Sequence, residues 1–289
     1  MQTGRRSRTA EAAATVRAMH RHVDEAPLIF VDEAVEALLP AYTQRFLRRI
    51  DELPAQWLRV YRQRRSGLAQ MRAQIVVRAR YAEDALDRAR QRGVGQYVIL
   101  AAGLDTFALR DSRRDIPVFE VDHPATQLWK RSLLRAIPEH VEFVAVDFER
   151  DTLAQSLVAT TFAIDTPAFV SWLGTTYYLN ERALRETLGS LSSLCAHGSE
   201  LVFDYWSRAP FTDGTAQALL TGTRIATAFQ AEPIRSLFEP ATMEALVAAC
   251  GWRIREHCAP QIANARYLAN RTDGLAVPSF SYFMHLELR

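Results

Sequence analysis

Long apolar runs are missing from this sequence: no stretch of about 18 apolar residues occurs, so neither a membrane-spanning helix nor a membrane partner is expected. Lysine is almost absent. Lys130 is the only one, and arginine carries nearly all the positive charge. The net charge is still only +2, which gives no reason to expect a nucleic-acid partner. Three cysteines, Cys195, Cys250 and Cys258, form no CxxC pair and have no histidine at zinc-ligand spacing. They are expected to be core thiols, two of them in buried helices, in a reducing compartment with no metal site. The N-terminus has arginines without an apolar segment behind them, so a secretory signal is not expected and the cytoplasm is. A full GxGxxG is also missing.

What is present is ordinary for a soluble globular chain, with 48% apolar and 24% charged residues over 289 positions. The first hundred residues have helical texture. "TAEAAATVRAMHRH" starts near Thr9, Pro40 and Pro54 punctuate the next fifty residues or so, and Gln70 to Gln91 keeps a period near 3.6. Arg45, Arg48, Arg49, Arg59, Arg62, Arg64 and Arg65 crowd this part; they read as a solvated face, with a site for an anionic substrate as the sharper alternative. Short apolar runs then alternate with helical patterns: "QYVIL", "PVFEV", "VEFVAV", "AFVSWL" and "SELVFDYW". That alternation predicts a mostly parallel sheet covered by helices on both faces. After an irregular stretch to about Pro233 and a helix from Pro240 to Cys250, "WRIREHC" and "SYFMHLEL" predict an antiparallel closing pair. No linker or repeat divides the chain. The reading is one domain over 1–289: a helical cover over 1–95, a ligand-binding core over 96–206, a cap or lid over 207–238 and sheet completion over 239–289.

Ligands of such sheets bind beyond the carboxyl ends of the strands. The first strand ends in "LAAGLDT", where Gly103 permits close backbone approach. The second ends in "FEVDHP", with Glu120 and Asp122 where a ribose diol would be gripped, and the third in "VDFERD", with Asp147 and the Phe148 backbone for an adenine amino group. With a lone glycine and Asp105 two residues on, the turn repels a pyrophosphate and suits a cationic ligand with an amine. S-adenosylmethionine is favoured over a dinucleotide, and a ligand-free turn is disfavoured because three strand ends are polar together.

The blocks "RARYAEDAL", "VILAAGLDTFALR", "VFEVDHPATQLWKR", "VDFERD" and "WLGTTYYL", in that order, resemble the leucine carboxyl methyltransferase-like superfamily. The nearer likeness is to bacterial S-adenosylmethionine-dependent O-methyltransferases associated with polyketide biosynthesis. The resemblance spans about Thr9 to Trp206. It implies a class I methyltransferase (Rossmann-like) α/β fold with a seven-stranded sheet, and S-adenosylmethionine as cofactor. By motif, Arg78, with Arg80 as the alternative, would meet the methionine carboxylate; Ala101 and Gly103 would line the donor; Asp122, with Glu120 nearby, would hold the ribose; Asp147 and Phe148 would bracket the adenine. Arg17 would supply a further N-terminal basic contact. Two departures stand out. Ala101 replaces a glycine usual in relatives, and its β-carbon crowds the donor unless φ there stays negative. Leu173 replaces an acid expected near the methionine amine, a loss of about 1.5–3 kcal/mol of charge-assisted bonding.

A carboxylate acceptor, with a pKa of about 4, is ionised at neutral pH and needs only a cation to align it. A phenol would need a base. The arginine-rich helices before the first strand could provide that cation, while Arg208, Arg224 and Arg235 could line the cap or face water. Tyr177 and Tyr178 are candidates for orienting the acceptor, with packing as the alternative. His123 reads as donor packing rather than a base, and His20, His22, His197 and His257 show no partners in the sequence. The expected activity is methyl-ester formation on a small-molecule natural product. The alternatives are phenolic or enolic O-methylation, and a degenerate fold that binds without turnover. No motif of a nucleic-acid methyltransferase follows the fourth strand. The oligomeric state stays open, a dimer included.

Overall fold

The computed structural model describes residues 7–62, 67–147, 150–208, 213–229 and 232–289. Four helices come first: α1 (Arg8–Val23), α2 (Ala41–Asp51), α3 (Ala55–Arg62) and α4 (Gly67–Gln91). The cap of α1 is Ser7 rather than Thr9. Its hydroxyl accepts the Ala10 N–H at 3.1 Å and satisfies a donor that the helix start leaves open. In α2, Leu47 and Ile50 are buried while Arg45, Arg48 and Arg49 are exposed, and Arg59 of α3 is exposed too. These arginines form a solvated face; Arg64 and Arg65 lie outside the described residues.

The alternating part comes next, as β1 (Gln96–Leu100), α5 (Phe107–Arg110), β2 (Val118–Asp122), α6 (Pro124–Leu133), β3 (Val141–Ala145), α7 (Leu153–Val158), β4 (Ala168–Trp172), α8 (Glu181–Leu194) and β5 (Glu200–Trp206). Then come α9 (Gly214–Phe229), α10 (Pro240–Ala249), β6 (Trp252–Cys258), α11 (Pro260–Tyr267) and β7 (Ser281–Leu288). The seven strands stand in the order β3-β2-β1-β4-β5-β7-β6. The first five are parallel, and β7 runs antiparallel between β5 and β6.

Every residue of β1, β4 and β5 is buried, as strands covered on both faces require. Alternation sorts their side chains into two cores. Val98 and Leu100 join Leu184, Leu188 and Leu191 of α8 on one face. Tyr97 and Ile99 join Val76, Val77 and Ala82 of α4 on the other.

Three expectations need correction. The helical pattern expected between the first two strands, "FALRDSRR", makes only the single turn α5, because Asp111 leaves in extended conformation and Arg114 turns left-handed at φ +47°. The stretch after β5 is not irregular to Pro233: Gly214–Phe229 is helical, and Thr221, Thr223 and Thr227 each return a hydroxyl bond to the carbonyl four residues earlier. The cysteines are not in helix interiors. Cys195 and Cys250 come just after helix ends and Cys258 closes β6, all of them free thiols. No helix of the described residues is long and apolar enough to cross a membrane.

Lys130 is buried on α6, where its ammonium donates to Glu120 Oε2 at 2.5 Å and to the Asp105 carbonyl at 2.6 Å. Burial raises the Glu120 pKa above the usual carboxylate range, and Lys130 opposes that rise. Replacing one partner strands the other's charge. Lys130→Met is therefore expected to lose about 3–5 kcal/mol of stability in denaturant titration, and a Glu120→Leu/Lys130→Met double variant to recover most of it.

At the other end of the sheet Glu200 takes both Nε and Nη2 of Arg92 at 2.7 Å and His285 Nε2 at 2.6 Å. Burial alone would raise its pKa, but the His285 and Arg92 bonds hold it down at about 2. A carboxyl lowered on folding stabilises fully above its ordinary 4.5, and that contribution disappears as pH falls toward 2. Glu200→Gln is expected to flatten the acid limb of the stability curve over that window, read from thermal midpoints.

Candidate active site

β2 lies on one side of β1 and β4 on the other, so the connections from β1 and β4 part above the sheet and leave a crevice at the carboxyl ends. A cavity of about 920 Å³ fills it, walled by the turn after β1, the ends of β2 and β4, and faces of α1, α4 and α9.

The turn after β1 is left-handed twice, with φ +52° at Ala101 and φ +51° at Gly103. Gly103 has little room for a side chain, since a Cβ there would come within 3.1 Å of the Ala10 Cβ in α1. Ala101 is the strained member, because a β-carbon at positive φ costs about 1–2 kcal/mol. The escape route for its methyl, a negative φ, is not taken. Asp122 closes the turn. One carboxylate oxygen accepts the Gly103 N–H and the other the His123 N–H, both at 2.6 Å. Burial raises the Asp122 pKa, and these two N–H groups oppose the rise. Asp105 also lines the cavity, and its Oδ1 accepts the Phe107 N–H at 2.7 Å.

Arg17 reaches the same turn from α1. Its Nη2 donates to the Leu104 carbonyl at 2.7 Å and its Nε to Asp32 at 2.6 Å. Asp32, fully buried, also accepts the Thr106 hydroxyl at 2.6 Å and the Val35 N–H at 3.0 Å. It ties the N-terminal helices to the turn.

On the opposite wall, Arg78 of α4 lies over Gly174. Its Nη1 meets Tyr177 Oη at 3.3 Å and Asp204 Oδ2 at 3.4 Å. Tyr177 stacks on Trp206 with ring centroids 4.0 Å apart. Burial pushes the Tyr177 hydroxyl up to about 12 and raises Tyr178 well above its ordinary value. Tyr178, Asp147 and Leu173 line the cavity as well. His123 lines it with Nδ1 accepting the Ala125 N–H at 3.2 Å, which leaves Nε2 to carry the ring proton.

The structure thus brings together Arg17, Arg78, Ala101, Gly103, Asp105, Asp122, Asp147, Tyr177 and Tyr178. It does not bring in two others. Glu120 shares a strand face with Asp122 but lies deeper, under Lys130, and is absent from the cavity wall. Arg80 points away to Asp84 at 2.7 Å and is half exposed. Phe148 lies outside the described residues. Sequence reasoning missed Asp204, Asp32 and Glu232, and left Arg235 undecided among three cap arginines. The signal for Asp204 was available, an acid inside an otherwise apolar strand. Three of the four histidines without visible partners have them: His20 meets Asp24, His22 meets Asp51 and Glu36, and His257 meets Glu244 and Tyr205.

The strand order and the crevice beyond β1 and β4 define a class I methyltransferase fold. The leucine carboxyl methyltransferase family model matches residues 10–192. The chain belongs to that family. It is 36% identical over 217 residues to Bacillus subtilis (strain 168) YktD, provisionally named an S-adenosyl-L-methionine-dependent methyltransferase, covering 73% of this chain and 71% of that one. A Mycobacterium avium (strain 104) protein of the same provisional name is 34% identical over 65% of this chain and 62% of its own. Among solved structures, an O-methyltransferase family protein from Burkholderia thailandensis aligns at TM-score 0.46 and 18% identity, over 75% of this chain and 60% of that one. LepI, solved with SAM, aligns at TM-score 0.48 and 13% identity, over 71% of this chain and 46% of that one.

Ala101→Gly removes a left-handed β-carbon and adds unfolded-chain entropy of about 0.4–1 kcal/mol. The strain relief of about 1–2 kcal/mol is larger. A net gain of about 0.5–1 kcal/mol is expected in denaturant titration, with donor binding unchanged or tighter; a loss of stability would contradict the strained turn.

Proposed function

We propose that this S-adenosylmethionine-dependent methyltransferase forms a methyl ester on a carboxylate of an apolar small molecule. The residues of the cavity fit the donor: a guanidinium, Arg78, for its carboxylate, the open turn at Gly103 against its backbone-facing side, Asp122 for its ribose hydroxyls, and Asp147 toward its base. Arg17 and Asp105 shape the turn between them. When bound, the donor supplies an electrophilic methyl on a sulfonium. The chain's own task is to hold the acceptor oxygen in line, about 3–3.5 Å from that carbon, in a site from which water is excluded.

The observation that carries the carboxylate reading is the pairing of a free cation with the lack, among the described residues, of a histidine or tyrosine placed as a base. Arg235 lines the cavity, and its guanidinium has no partner among the described residues. Its backbone N–H is fixed to the Tyr177 carbonyl at 2.8 Å, which sets the arginine beside the tyrosine pair. Tyr177 and Tyr178 are held protonated by burial, His123 presents its proton-bearing nitrogen, and Glu232 is engaged by the Thr9 hydroxyl. A phenol acceptor needs its proton removed. A carboxylate does not. Leu219 and Ala226 of α9, with Ile75 and Phe280, give the acceptor body an apolar wall. This cation differs from the one sought in the sequence, since Arg45, Arg48, Arg49 and Arg59 are exposed and Arg62 is engaged by the Val23 carbonyl and Glu25.

Two outcomes are expected. With an accepted acid, kcat/KM stays flat over roughly pH 6 to 9; a rise through a single ionisation, or turnover of phenols in preference to acids, would favour hydroxyl methylation. Arg235→Ala raises KM for the acid by roughly 10- to 100-fold, the size of one charge-assisted bond, with a smaller change in kcat. Equal KM values in steady-state assays would remove Arg235 from the acceptor site.

A further inference from the structure

Asp204 is fully buried near the end of β5 and does not line the cavity, yet it touches both elements of the wall that does. Its Oδ1 accepts the Gly174 N–H at 2.5 Å, its Oδ2 faces Arg78 Nη1 at 3.4 Å, and its main-chain carbonyl accepts the Thr176 hydroxyl at 2.5 Å. Gly174 sits at φ +75°, and a Cβ there would lie 2.7 Å from Arg78 Nη2. The acid, the left-handed turn and the flat guanidinium are therefore one assembly, made from β5, the β4 exit and α4.

We infer that Asp204 is a positioning residue for donor binding: it fixes the Gly174 turn and the Arg78 guanidinium from behind, and is the counter-charge for the donor's amino-acid end. This rests on the donor reading given above. A comparison within the molecule separates it from an ordinary buried ion pair. Arg92 grips Glu200 with two nitrogens at 2.7 Å each, whereas Arg78 meets Asp204 through one nitrogen at 3.4 Å. The first pair is spent on the fold; the second leaves Arg78 able to take another anion. Beside it the cavity wall is Leu173, Gly174 and Thr175, which carry no charge. The carboxylate of the amino-acid end thus meets Arg78 in front, and the ammonium beside it lies in the field of Asp204. Burial raises the Asp204 pKa and Arg78 opposes the rise, as a partner charge should.

The test uses the full chain and calorimetric titration with S-adenosylhomocysteine, which carries the amino-acid end, and with methylthioadenosine, which lacks it. Asp204→Asn keeps the shape and an oxygen for Gly174. It is expected to weaken S-adenosylhomocysteine by about tenfold or more and to leave methylthioadenosine within about twofold, where a tenfold change corresponds to about 1.4 kcal/mol. Leu173→Glu added to it places a carboxylate on the same wall and is expected to restore most of the loss. Equal loss for both ligands, or no loss for either, would overturn the inference. Leu173→Glu alone keeps the test open if Asp204→Asn does not fold: with Asp204 in place no gain is expected, and a tenfold gain would show that the wall lacks the charge assigned to Asp204. A wild-type chain that binds neither ligand would instead overturn the donor reading.

Discussion

The reversal of strand order at β1 is the constraint on which the rest of this molecule depends. Because β2 and β4 flank β1 and their connections diverge, the carboxyl end of β1 opens into space instead of being roofed by its own crossover. The chain fills that space with polar groups drawn from far apart in sequence. Asp122 holds the Gly103 N–H, Arg17 holds the Leu104 carbonyl, and Arg78 comes from the long helix on the opposite face. Arg78 could not close over the turn after β4, at Gly174, beside this cavity if β4 lay beyond β2 on the same side.

Charge is distributed with a consistent division of labour. Two tight pairs, Lys130 with Glu120 and Arg92 with Glu200, stand away from the cavity and brace the sheet, and a third, Arg17 with Asp32, pins α1 to the turn at the cavity's edge. The long contacts and the free guanidinium, at Arg78 and Arg235, stand at the cavity wall. A buried charge held loosely costs stability, because desolvation is incompletely offset. The same looseness leaves binding capacity for a ligand. The strain at Ala101 belongs with this pattern, since unfavourable backbone conformations persist where surrounding structure over-determines them.

The sheet was legible in the sequence because its signal is local. Runs such as "YVIL" and "FVSW" are continuous and apolar, and the alternation in "SYFMHLEL" marks the antiparallel partner. The helix α9 was not, because its Gly and Thr content reads as loop until the threonine hydroxyls are seen bonding back along it. The cavity wall was legible where residue type and strand end coincide, as at Gly103, Asp122 and Asp147, all of which line it. It failed where depth matters: Glu120 and Asp122 share a face, and only the packing of α6 decides which of them reaches the cavity. Arg80 failed for a related reason, since two residues of helix rotate it away from Arg78. Asp204 and Arg235 had no motif to announce them, and the φ of Ala101 is set by the turn as a whole.

The central claim is that the chain transfers a methyl group to a carboxylate. The most direct measurement gives the protein S-adenosylmethionine labelled in its methyl group together with matched apolar carboxylic acids and phenols, then treats the products with alkali. An ester releases its label as volatile methanol and an ether does not. The account predicts enzyme-dependent label that is alkali-labile and found with the acids. Alkali-stable label on the phenols, or no transfer to any acceptor by a chain that binds the donor, would contradict it.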